Sequence, residues 1–80
     1  MKPLSYRQIK RKLEKAGFSI RHQRGSHVKF IRGRDGEIRT VMVPRHREIS
    51  IGTLRSIVRH AGMTLEEFEQ LQRAGGERLV

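Results

Sequence analysis

The sequence predicts an α+β domain in which a three-stranded antiparallel sheet carries its helices on one face. Three observations predict it. Two segments, Ser5 to Gly17 and Ser50 to Gly62, space their apolar residues as helices do. Between them lie short alternating runs separated by turn residues, the pattern of strands. Finally, 80 residues without cysteine or tryptophan can build one modest core and no more. The expected order is helix, three strands, helix, then a short third helix, as one domain over residues 1–80. Its core spans about residues 4–71, and residues 72–80, with Gly75-Gly76 among them, form a flexible tail.

Each element has a local cause. Ser5 and Gln8 make the S-x-x-Q pattern of a capping box, with Leu4 and Ile9 spaced as a hydrophobic staple. Ile9, Leu13 and Ala16 give the first helix its apolar stripe, Tyr6 lies at the stripe's edge, and Gly17 is a natural stop. Arg7, Lys10, Arg11, Lys12 and Lys15 are expected to cover the remaining, solvated face. Phe18, Ile20 and His22 alternate with Ser19, Arg21 and Gln23 as in a half-buried strand. Arg24-Gly25-Ser26 supplies a turn. Val28 and Phe30 then form the apolar face of a second strand, with His27, Lys29 and Ile31 on the other. Asp35-Gly36, within Gly33 to Gly36, reads as a hairpin connection. The third strand, Ile38 to Val43, is rich in β-branched residues but alternates poorly, and Pro44 ends it.

After the basic loop Arg45-His46-Arg47-Glu48, the second helix starts between Ser50 and Gly52. Leu54, Ile57, Val58 and Ala61 form its core-facing stripe. Thr64 and Glu67 make a second capping box, and Leu65, Phe68 and Leu71 a third stripe. A small sheet covered on one face buries all three stripes and leaves its other face open to solvent or a ligand.

The charge points to the ligand. There are 18 Lys and Arg against 8 Asp and Glu, a net charge of +10. Residues 1–62 hold a net +12 and residues 63–80 a net −2, a segregation that simple solvation does not need. A polyanion partner and salt-sensitive association are therefore expected. The first residues are not followed by an apolar run of signal-peptide length, no stretch approaches a membrane span, and the absence of cysteine fits a reducing compartment. These features lead us to expect a soluble cytoplasmic protein.

Several chemistries lack their residues. There is no glycine-rich loop ending in Gly-Lys-Ser/Thr and no carboxylate pair near the histidines. His22, His27 and His46 have no obvious further ligands to complete a zinc site, and no cofactor is called for. Ser26 and His27, as neighbours on a strand, point to opposite faces and make no triad. RNA cleavage by its own 2′-hydroxyl needs a base, an acid and cations around the phosphate. His27 is the best-placed candidate for the first two functions. Arg24, Lys29, Arg21 and Arg32 are candidates for holding RNA, and Ser26 for orienting the turn or a phosphate oxygen.

Arg24-Gly25-Ser26-His27-Val28-Lys29-Phe30 resembles the "GSH" strand of the HicA, or YcfA-like, toxin family. Val41-Met42-Val43-Pro44-Arg45-His46 followed by Ile51-Gly52-Thr53-Leu54-Arg55-Ser56-Ile57 resembles that family's second half, where a V-P-x-H strand end precedes a G-T-L-R-x-I helix. The resemblance covers about residues 4–70. It implies a double-stranded-RNA-binding-domain-like α-β-β-β-α fold. It also implies the toxin of a type II toxin–antitoxin pair: a metal-independent mRNA interferase that a HicB-type antitoxin neutralises in a hetero-oligomer. The catalytic histidine of the family falls on His27, and its glycine and serine on Gly25 and Ser26. Many members carry a second histidine where this chain has Val28, so the expected chemistry rests on His27. His46 matches the strand-end histidine but is assigned no catalytic part. Two other readings fit the same residues: a non-catalytic RNA-binding module, and a DNA-binding regulator using Ile51 to Gly62 as a recognition helix, which carries only Arg55, Arg59 and His60 as cations.

Overall fold

The computed structural model describes the backbone of residues 2–77 and the side chains of residues 2–71. Its elements are α1 (Tyr6–Lys15), β1 (Ser19–Arg24), β2 (His27–Arg34), β3 (Glu37–Pro44), α2 (Ile51–His60) and α3 (Leu65–Glu77). The strands form one antiparallel meander in the order β1-β2-β3. This is the expected α-β-β-β-α arrangement, with α3 added, and it is consistent with a double-stranded-RNA-binding-domain-like fold. α3 continues as backbone to Glu77 through the first part of the expected tail, whose side chains, like residues 78–80, lie outside the described residues.

Local chemistry starts each helix. Ser5 Oγ accepts from the Gln8 N–H at 3.1 Å, and Gln8 Oε1 from the Ser5 N–H at 2.9 Å. Thr64 and Glu67 make the same reciprocal pair at 3.1 and 2.9 Å. At α2, Ser50 Oγ accepts from the Thr53 N–H at 3.3 Å. Each box satisfies backbone donors that the first helical turn leaves without partners.

One sheet face is packed and the other is open. Val28, Phe30, Val41 and Val43 are fully buried against Ile9 and Leu13 of α1, Leu54, Ile57 and Val58 of α2, and Phe68 of α3. On the opposite side, His27, Lys29, Thr40 and Met42 are exposed. Val28 pairs with Val43 and Phe30 with Val41, which sets the register that β3's own pattern left uncertain. A one-residue slip would turn those valines to water.

Lys12 corrects the expected solvated face of α1. It is 4% exposed, its Nζ donates to the carbonyl oxygens of Phe68 (3.0 Å) and Glu69 (3.1 Å), and the ammonium lies 5.4 Å from the Phe68 ring centroid. It joins α1 to α3 and is not available to a phosphate. A buried ammonium is tolerable because carbonyl oxygens and an aromatic face replace its water.

Candidate nucleic-acid interface

The site is built on the first hairpin. Arg24 and His27 pair across a two-residue turn, Gly25-Ser26. Gly25 has φ +59°, the left-handed value that the first position of a type II′ turn demands. A Cβ there would meet nothing within 4 Å, so backbone strain is the whole cost of a side chain. Gly25→Ala is expected to lower stability by about 1–2 kcal/mol, read from urea unfolding; a variant as stable as wild type would show that the turn has another conformation. The turn is also tied from outside. The Arg45 N–H donates to the Ser26 carbonyl at 2.6 Å, linking it to the residue after β3.

β1 departs from the expected alternation. It pairs Ile20 with Phe30 but His22 with Lys29, so the register shifts between Ile20 and His22 and Arg21 forms a bulge. Cross-strand partners share a face. Ile20 therefore lies on the packed side and His22 on the open side. Ile20 is still 43% exposed, because β1 is an edge strand whose residues are all exposed. Strict period-two spacing puts His22 on the face of Phe18 and Ile20, and the bulge overturns that grouping.

The open face then presents two rows: Arg24, His27 and Pro44, then His22, Lys29 and Met42. His22, Arg24, His27, Lys29 and Met42 line a shallow depression of about 410 Å³. No carboxylate lines it. Two imidazoles and two permanent cations beside a half-exposed thioether suit a phosphodiester with its base alongside.

Arg32 is elsewhere. It is on the helix-covered face opposite Arg39, its Nη1 donates to the Ala16 carbonyl at 3.0 Å, and its guanidinium stacks 4.7 Å from the Phe18 ring centroid. Burial, then the charges of Arg34 and Arg39, make it a weaker base than an ordinary arginine. It caps the carbonyl end of α1, where a cation is favoured, and does not join His27. Arg21, at the bulge, is exposed beside the depression without lining it.

A second depression, of about 390 Å³, is lined by Ser5, Tyr6, Arg7, Arg45, His46 and Arg47. Its loop is held by the Tyr6 N–H donating to the His46 carbonyl at 2.9 Å and by the Arg45 guanidinium, 5.6 Å from the Tyr6 ring centroid. His46 thus stands apart from the pair His22 and His27. Among the described residues no three of His, Cys, Asp and Glu gather as a metal site, and no helix is long and apolar enough to cross a membrane.

A small α+β domain with an open, cationic, imidazole-bearing sheet face is of the double-stranded-RNA-binding-domain-like kind. Residues 6–63 match the family model described as the HicA toxin of bacterial toxin–antitoxin systems, and the chain belongs to that family. It is the toxin of a toxin–antitoxin system, in a family whose members are in general mRNA-cleaving and have an antitoxin partner. The match takes in the whole hairpin and α2; all of α3 lies beyond it. No curated protein matches the chain.

Proposed function

We propose that this toxin is a metal-independent endoribonuclease that cleaves mRNA at the open sheet face, and that a HicB-type antitoxin neutralises it. The observation that carries the reading is the position of His27: exposed at the start of β2, off the packed face, between Arg24 across the hairpin and Lys29 two residues on. His27 acts as general acid/base on the phosphodiester. Arg24 and Lys29 hold the phosphate and stabilise the charge that builds on its non-bridging oxygens. Gly25 and Ser26 set the turn that aims His27, and the Arg45–Arg47 loop extends the phosphate contacts along the strand.

The experiment is cleavage of a defined RNA by the purified chain in excess EDTA. We expect fragments ending in 2′,3′-cyclic phosphate, and a Km that rises with salt as released counterions compete. Salt-sensitive RNA binding with no cleavage product would replace this reading with that of a non-catalytic RNA-binding module. Co-expressed HicB-type antitoxin should bind the toxin and suppress cleavage; an antitoxin that does neither would remove it as the partner.

A further inference from the structure

His22 reaches the open face only because β1 slips. In a regular strand it would share the face of Ile20, towards the core. The bulge sets it opposite Lys29 instead, so two cross-strand pairs, Arg24 with His27 and His22 with Lys29, stand next to each other on one surface. The two imidazoles occupy one diagonal of this four-residue square and the two cations the other. Diagonal neighbours on antiparallel strands stand roughly 7–8 Å apart. All four line the same depression. His22 is exposed, and its side chain makes no hydrogen bond or ion pair among the described residues, so no structural task within the chain accounts for it.

We propose that His22 is the second acid/base group of the cleavage reaction, working with His27 across one phosphodiester. The inference rests on the reading of His27 given above. The reaction moves two protons at two places. One imidazole, neutral, takes the proton of the 2′-hydroxyl as that oxygen bonds to phosphorus. The other, protonated, gives its proton to the 5′ oxygen as the P–O5′ bond breaks. The products are a 2′,3′-cyclic phosphate and a 5′-hydroxyl; the first ring ends charged, holding the 2′ proton, and the second ends neutral, its proton now on the 5′ oxygen. Attacking and leaving oxygens lie on opposite sides of the phosphorus, so a single ring cannot face both. Rings on one diagonal can, with Arg24 and Lys29 facing the non-bridging oxygens from the other.

The test is the pH profile of RNA cleavage by wild type, His22→Ala and His27→Ala. Wild type should show a bell, since one ring must be neutral and the other charged. For His22→Ala, kcat should fall about 10²–10³-fold with Km within threefold, and one limb of the bell should vanish. An RNA with sulfur in place of the bridging 5′ oxygen needs no proton on its leaving group. It should restore whichever of the two variants lacks the acid. A His22→Ala enzyme that keeps both limbs and most of its kcat, or that changes only in Km, would overturn the proposal and leave His22 at most a phosphate contact. If His27→Ala cleaves as well as wild type, the underlying reading of His27 has failed, and the pairing falls with it.

Discussion

Replacing His27 with alanine is expected to slow RNA cleavage by about 10²–10⁴-fold while the protein stays folded. The size follows from removing a positioned proton-transfer group, and the retained fold from where the ring sits. His27 is exposed, and the tight turn beside it is built by Gly25 and Ser26 backbone. Its imidazole is absent from the buried core, so its loss opens no cavity. Circular dichroism should therefore match wild type, growth arrest on expression should disappear, and RNA binding should survive, because Arg24 and Lys29 remain. A folded His27→Ala protein that still cleaves at the wild-type rate would show that the ring is a bystander and that the chemistry lies elsewhere.

Phe30→Ala is expected to be the most damaging single truncation. Phe30 is fully buried at the centre of β2, paired with Ile20 on one side and Val41 on the other, with the Tyr6 ring centroid 6.4 Å away. Removing its ring costs about 3–5 kcal/mol through lost burial and the cavity left behind. Domains of this class have about 5–15 kcal/mol in total. At this size each kcal/mol moves the melting temperature by about 4–8 °C, so the midpoint should fall by about 12–40 °C. Thermal unfolding followed by circular dichroism measures it; a fall of only a few degrees would mean that the sheet and helices can close the gap. The effect on function is indirect. His27 and Lys29 alternate with Val28 and Phe30 on one strand, so the packing that seats the apolar pair also holds the polar pair at the surface.

The two capping boxes, the Asp35-Gly36 turn and the helical stripes were all legible because each is local: a few residues at fixed spacing suffice to specify them. In the structure Asp35 and Gly36 both have positive φ, as a two-residue hairpin turn of that composition requires. The side assigned to His27 and Lys29 was legible for the same reason. The bulge at Arg21 was not, since a strand with an inserted residue has the same composition as one without, and only the pairing with β2 reveals the slip. That pairing moves His22 into the site. The surroundings of Lys12 and Arg32 are not legible for a related reason. A long cationic side chain looks solvated in sequence, and its burial depends on carbonyl and aromatic partners 56 residues away in one case and 16 in the other.

The kink at Arg21 also shapes what the outer margin of the sheet offers to another strand. β1 is an outer strand, exposed along its whole length, and a regular outer strand offers an unbroken row of backbone groups to the strand of another molecule. The bulge breaks that row, and Arg21 and Arg24 bring like charge against like at the same margin. A sheet with one broad face bare is thereby guarded along its β1 side against growing by self-addition.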